Sequence, residues 1–213
     1  MPDHERKFDD QMLRGQSPLA EPDWRYVEPQ RLHDFSRSDW ARLDAQRPTF
    51  QRRFQADHVL AMLKVGETTP TFGYQVNNFR HCLQTATMAM RDGWDEETVV
   101  VSLLHDIGFI TCPDTHAEFA AALLGPWCSD RLYWMLRRHA IFQEHHCHTH
   151  PDLDPTARER WRGHPHFAFT AEWVAKYDQT SMDPAYDTAP LSVFEPMVHR
   201  FFAKPPRPIP FVE

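Results

Sequence analysis

Residues 78–90 read NFRHCLQTATMAM, and residues 95–106, which follow after a short break, read DEETVVVSLLHD. Apolar residues recur in the first stretch at steps of three and four, so they share one face of a predicted helix. Gly93 is a natural C-terminal stop for that helix, and Asp95 is a natural N-cap for the next one. The two stretches therefore predict consecutive helices, the second of which ends on a His-Asp pair.

Helical spacing of apolar residues continues on both sides of these stretches. A helix is predicted from Ser38, with an interruption at Pro48. A second is predicted over residues 116–124, with a cap at Asp114 or Thr115 and a stop at Gly125-Pro126. Two more are predicted, one from a cap at Ser129 through His139 and one over residues 167–176. The segment 66–73 is predicted to be a loop, and the polar stretch 147–166 is rich in Pro and His. The pattern predicts an all-α protein.

The ends of the chain differ in composition from its middle. Residues 1–35 are polar and without clear periodicity, which predicts a partly ordered N-terminal extension, with Trp24 and Tyr26 as its anchors. Residues 204–213 are rich in proline, which is incompatible with regular structure. One helical domain is therefore expected over residues 36–203.

Composition excludes several classes of protein. The chain has 213 residues, 41% of them hydrophobic, which is enough for a packed core. No apolar run approaches the roughly 20 residues that span a bilayer, and the N-terminus lacks an apolar leader, which predicts a cytoplasmic protein. A net charge of −7 argues against nucleic acid as the partner. No CxxC pair occurs, so the four cysteines are expected to be free thiols.

The 14 histidines are numerous for a chain of this length, and some of them lie in apolar surroundings. A lone histidine on an apolar helix face is more often a core residue than a ligand. Several histidines buried with carboxylates are costly, however, unless a cation neutralises them. The set from separate helical segments that meets this description is His81, His105, Asp106, His116, His139 and Asp178. It predicts a site for one or two metal ions, whereas the histidines between residues 145 and 166 are expected at the surface.

Three short motifs carry a resemblance to a known family. The segments RHCLQTA (80–86), LLHDIG (103–108) and KYD (176–178) resemble motifs of the HD-domain superfamily of metal-dependent phosphohydrolases. With the extra pair His116 and His139, they are similar to its dinuclear branch, which includes myo-inositol oxygenase and the 2-amino-1-hydroxyethylphosphonate dioxygenase type. The resemblance covers roughly residues 70–180. It implies an HD-domain helical bundle with a metal site in its core.

The resemblance also implies a cofactor and a chemistry. Two irons, Fe(II)/Fe(III), would be held by His81, His105, Asp106 and Asp178 on one side and by His116 and His139 on the other, with Asp106 bridging. Such enzymes use O₂ to oxidise or cleave a small hydroxylated substrate. Mixed imidazole and carboxylate ligands suit iron.

The substrate is less clearly indicated. Inositol oxygenase carries a substrate-contacting Lys just after its HD-x-G motif, where this chain has Phe109, so polyol recognition of that kind is not expected. Gln143 lies one helical turn beyond His139 and is a candidate substrate contact. Arg160, Arg162 and His164 are candidates for gripping a phosphonate, phosphate or carboxylate, although ordinary surface charge explains the two arginines equally well.

Three functions remain open on the sequence. The first is the diiron oxygenase acting on a hydroxylated, anionic substrate. The second is a metal-dependent phosphohydrolase of a nucleotide or phosphate ester, using other divalent metals to activate water. The third is a non-catalytic HD scaffold. The expected partners are a small molecule and O₂, with neither nucleic acid nor membrane, and a homodimer stays open.

Overall fold

The computed structural model describes residues 25–208, and every regular element within that range is a helix. The α-helices are α1 (Arg37–Val65), α2 (Asn78–Arg91), α3 (Glu96–Leu104), α4 (His116–Leu124), α5 (Asp130–Leu136), α6 (His139–Glu144), α7 (Phe167–Lys176) and α8 (Leu191–Ala203). Short 3₁₀ turns occur at Leu32–Asp34, Gly66–Thr68, Pro113–Thr115, Gly125–Trp127, Ala157–Trp161 and Asp178–Thr180. The prediction of an all-α protein is confirmed. Among the helices described, none combines the length and apolarity that a membrane crossing requires.

The chain divides into two compact units, Met1–Gln51 and Arg52–Glu213. In the first unit, Arg42 donates a hydrogen bond to the carbonyl oxygen of Tyr26 at 2.9 Å. Most of the predicted N-terminal extension, including Trp24, and the last five residues of the Pro-rich tail lie outside the described residues. The second unit holds the elements that build the site.

The core of the second unit is centred on α3. Helix α2 packs against α3, α3 against α8, α4 against α5, and α6 against α7. All residues of α3 from Thr98 to Leu104 are buried. Large buried side chains, including Trp173, Phe142 and Phe194, fill the space between these helices. Since each such side chain contributes about 1.5–3 kcal/mol on burial, this core holds the ends of α3, α4, α6 and α7 in place.

The caps that surround α3 behave as its sequence predicts. Asp95 accepts a hydrogen bond from the backbone N–H of Thr98 at 2.8 Å. Gly93, which follows α2, has a φ of +79°, a conformation that glycine adopts without strain. Helix α3 ends at Leu104, so His105 and Asp106 lie in the turn directly after it.

Other predicted boundaries were wrong. Pro48 lies inside α1 and does not interrupt it, because a proline can bend a helix whose flanking turns keep their own hydrogen bonds. The helix expected from Ser129 through His139 is two helices, α5 and α6, separated at Arg137 and Arg138. Neither Ser129 nor Thr115 makes a side-chain cap hydrogen bond. Helix α8 was not predicted at all, although its buried Phe and Val residues follow a helical spacing.

Asn77 joins the start of α2 to the preceding turn, and we expect its loss to destabilise the fold. Its Oδ1 accepts from the backbone N–H of Arg80 at 2.9 Å, and its Nδ2 lies 3.0–3.3 Å from the carbonyl oxygens of Gly66, Glu67 and Thr69. Asn77→Ala should lower the free energy of unfolding by about 2–3 kcal/mol, against about 1 kcal/mol for the single-bond cap lost in Asp95→Ala. Urea denaturation measures both, and equal losses would contradict the bracing role of the Asn77 amide.

Candidate metal centre

Six side chains from four helix ends and one helix face converge inside the second unit. His81 lies on α2, His105 and Asp106 follow α3, His116 begins α4, His139 begins α6, and Asp178 follows α7 after Tyr177. Their ligand atoms form three overlapping groups, each within 4.8 Å: His81, His105 and Asp106; His105, His139 and Asp178; Asp106, His116 and His139. These are the six residues nominated from the sequence, and the fold brings all of them together. The cluster could hold a metal ion.

Backbone carbonyl groups orient all four imidazoles. The Nδ1 atoms of His81, His105, His116 and His139 lie 3.0, 2.9, 2.5 and 2.8 Å from the carbonyl oxygens of Ser181, Ser102, Pro113 and Leu136, respectively. A carbonyl oxygen only accepts, so each Nδ1 carries the hydrogen and each neutral ring presents the Nε2 lone pair. Histidine ligands of metals are oriented by such outer hydrogen bonds. One of them spans the break between α5 and α6, since Leu136 is the last residue of α5 and His139 is the first residue of α6.

The four Nε2 atoms face one another in two pairs. The Nε2 atoms of His81 and His105 are 3.2 Å apart, and those of His116 and His139 are also 3.2 Å apart. With both Nδ1 positions donating to carbonyl groups, two lone pairs would oppose each other in each pair unless a proton or a metal cation lies between them. A metal bound by nitrogen at about 2.0–2.1 Å separates neighbouring ligand atoms by about 3.0–3.4 Å. The spacing therefore fits a metal ion at each pair.

Asp106 lies between the two pairs. Its Oδ1 is 3.2 Å from the Nε2 atoms of both His116 and His139, and its Oδ2 is 3.6 Å from the Nε2 of His81. Asp178 lies nearest the first pair, with Oδ1 3.4 Å from His81 and 3.5 Å from His105, and it also forms a group with His105 and His139. The other oxygen, Oδ2, is buried and has no hydrogen-bond partner. A buried carboxylate oxygen without a donor is costly, and a cation at this position would satisfy it.

The pKa values in the cluster show how strongly it attracts positive charge. Burial by itself favours the neutral carboxylic acid, but the imidazoles of His105 and His139 hold the pKa of Asp106 well below its usual range. Asp178 is likewise buried, and hydrogen bonds from His105 and His81 lower its pKa. Burial opposes protonation of His81, yet Asp178 and Asp106 raise the pKa of its ring to about 9. The cluster thus favours positive charge, which protons or a metal cation could supply.

Several supporting residues were not singled out from the sequence. Asn78 donates from Nδ2 to the carbonyl oxygen of Asp106 at 2.9 Å and so fixes the backbone of the central ligand. The Trp173 ring lies edge-on to His105 with a centroid separation of 5.2 Å, and its Nε1 donates to Ser102 Oγ at 3.0 Å. A tryptophan among core aromatics gives no sequence indication of such a role. The adjacent asparagines at 77 and 78, polar residues opening an apolar helix, were the available indication for Asn78.

Of the four predicted substrate contacts, one lines the cavity beside the cluster and three do not. Gln143 lines the cavity beside the cluster, and its Nε2 donates to Asp178 Oδ1 at 3.0 Å. The other three lie elsewhere: the guanidinium of Arg160 stacks 3.9 Å from the centre of the Trp161 ring, Arg162 pairs with Glu159, and His164 stacks on Trp134 at 4.3 Å. None of these three lines the cavity.

A cavity of about 610 Å³ reaches the cluster on the face formed by His81, Asp106 and His116. The side chains of His105, His139 and Asp178 lie behind that face and are almost completely shielded from solvent.

A scan against protein-family models and a search of curated proteins each found no match to the chain.

Proposed function

We propose that this chain is an HD-domain non-haem diiron oxygenase that uses O₂ to oxidise or cleave a hydroxylated small molecule. The observation that carries the proposal is the pair of opposed imidazole couples, His81 with His105 and His116 with His139, on either side of Asp106. This arrangement offers two adjacent metal positions with one shared carboxylate. The three motifs that resemble the HD-domain superfamily supply four of these six side chains, and the extra pair His116 and His139 supplies the other two.

The donor set favours iron. Two carboxylates, Asp178 and Asp106, complete the first imidazole couple, and one, Asp106, completes the second. Two histidines with one carboxylate are the ligands typical of non-haem iron sites that keep open positions for O₂ and substrate. When bound, two irons would supply O₂ activation and a Lewis-acidic position for the substrate hydroxyl group.

The two faces of the cluster have different surroundings: one lines the cavity, and the other is packed against the core. His81, Asp106 and His116 line the cavity, so a substrate meets the centre on their side. The opposite face is packed against Trp173 and the buried part of α3, which excludes water from behind the ligands. Gln143 holds Asp178 Oδ1 and also lines the cavity, so its amide can orient a bound hydroxyl group next to the ligands.

Metal content and oxygen uptake test this proposal. Protein purified in air should contain about two irons per chain and give a mixed-valent electron paramagnetic resonance spectrum that changes when a substrate alcohol is added. Oxygen consumption should depend on that alcohol. Turnover of a generic phosphate ester with Mn²⁺ or Mg²⁺, without oxygen uptake with any alcohol tried, would instead establish the phosphohydrolase. Absence of both activities and of bound metal would leave a non-catalytic scaffold.

His81→Ala and His116→Ala form a matched pair for counting the metals. Each residue lines the cavity, and each belongs to one of the two imidazole couples only. We expect His81→Ala to lose the first metal and His116→Ala to lose the second, so that each variant retains about one metal per chain. Metal analysis combined with calorimetric titration measures this. A variant that keeps both metals would show that its histidine is not a ligand.

A further inference from the structure

The cavity that reaches the metal centre is mainly apolar and almost free of charge. Its volume of about 610 Å³ is typical of a pocket for a drug-sized ligand, about 300–1,000 Å³. Across residues 25–208, no lysine or arginine lines it, and its single carboxylate is Asp106, which already belongs to the metal centre. Its other polar side chains are mostly uncharged, such as the amides of Asn78, Gln143 and Gln179.

An aromatic track leads from the mouth of this cavity to the metal ligands. Phe72, at the mouth, is 78% exposed, and Tyr74 and Ile110, which also line the cavity, are 50% and 41% exposed. The Phe72 ring stacks on Phe109 with centroids 6.2 Å apart, and the rings of Phe109 and His116 meet edge to face with centroids 5.4 Å apart. Exposed aromatic side chains at the mouth of a pocket become favourable contacts when an apolar ligand covers them.

We propose that the substrate of this site is an uncharged alcohol with an apolar alkyl or aryl body. Its hydroxyl group would lie at the face of His81, Asp106 and His116, and its body would lie along Phe109 and Phe72. The position of the hydroxyl group rests on the proposed function, whereas the binding of the body rests on the cavity alone. The inference replaces the anionic substrate expected from Arg160 and Arg162, since neither lines the cavity.

Charge balance supports this choice over an anion. A phosphonate or carboxylate in the cavity would lie near the Asp106 carboxylate, and besides the metals the lining offers it the imidazole of His146 but neither a lysine nor an arginine. Sites that recognise such anions usually place an arginine or lysine on them. An apolar body, in contrast, finds matching surface along the whole length of the track.

Direct binding tests the inference without relying on turnover. Calorimetric titration of the metal-containing protein under argon compares 4-phenyl-1-butanol with 2-hydroxyethylphosphonate, which carries a hydroxyl group and an anion but no apolar body. The aryl alcohol should bind at least about tenfold more tightly, and Phe72→Ala should weaken it roughly fivefold to tenfold. Val193→Ala, an exposed apolar residue of α8 that does not line the cavity, should leave it unchanged.

A positive charge introduced into the cavity lining should reverse the ligand preference. Ile110 lines the cavity and is 41% exposed, so Ile110→Lys is compatible with folding. It should weaken 4-phenyl-1-butanol and strengthen 2-hydroxyethylphosphonate, each by roughly tenfold. Tighter binding of the phosphonate by the unmodified protein, or alcohol binding that is indifferent to Phe72→Ala, would overturn the inference.

The two proposals fail in different ways. If alcohol binding depends on Phe72 but the protein contains no iron and consumes no O₂, the apolar ligand class stands and the oxygenase does not. If O₂ uptake occurs with the phosphonate and the aryl alcohol does not bind, the oxygenase stands and this inference is overturned.

Discussion

Asp106→Asn should leave the protein folded and remove both metals. Asparagine keeps the shape of the side chain but not its charge, and Asp106 is the residue whose two oxygens face both imidazole couples. Without that charge, each position loses its shared anionic ligand, so metal content should fall from about two to below about 0.2 per chain, with loss of oxygen uptake. Metal analysis after desalting, with circular dichroism to verify folding, measures this.

Two further variants distinguish the loss of a bridging carboxylate from the loss of any negative charge. Asp178 lies near His81 and His105, so Asp178→Asn should weaken the first metal and leave the second largely in place. Asp187→Asn removes a carboxylate that is 91% exposed and pairs with Arg91, and it should change neither metal. If Asp106→Asn retains two metals per chain, Asp106 does not bridge them, and its assignment as the shared ligand would have to be abandoned.

Removal of the metals should lower the thermal stability of the protein substantially. The centre contains two buried carboxylates and four imidazoles, and a metal cation that balances them would bind the folded state only. A metal present at a thousandfold excess over its dissociation constant stabilises by about 4 kcal/mol, which for a chain of this length corresponds to roughly 8–16 °C. Scanning calorimetry with and without a chelator measures the shift.

The Asp106→Asn variant is the control for this experiment. If it no longer binds metal, its unfolding temperature should not respond to the chelator. A shift of equal size in this variant would mean that the chelator acts elsewhere on the protein. No shift in the unmodified protein would mean that the six side chains are satisfied without a metal.

The local structure around the centre was predictable because it depends on neighbouring residues. The spacing of apolar residues identified α2 and α3, and Gly93 and Asp95 marked the break between them through turn and cap preferences that act within a few residues. The six clustered side chains were also predicted, from their residue types and their apolar neighbours in the sequence. Histidines and aspartates among apolar residues indicate a compensating partner, wherever in the chain that partner lies.

The helix end at Arg137 and Arg138 was not predictable in this way. The apolar spacing continues through it, and only tertiary packing decides that α5 stops and α6 restarts at His139. Helix α8, with Pro196 inside it, is likewise stabilised by the packing of Phe194 and Val198 in the core. Tertiary contacts override local preferences wherever burial contributes more free energy than the local preference.

The sequence alone therefore determined the helical class and which side chains were suited to meet at a metal. Tertiary structure decided how they meet: two imidazole couples with Asp106 between them, and a cavity bordered by Phe72 and Phe109. It also placed Arg160 and Arg162 away from that cavity, although they follow Gln143 closely in the chain. The physical reason is that periodicity and capping act over one or two turns, whereas the direction of a side chain depends on every helix packed around it.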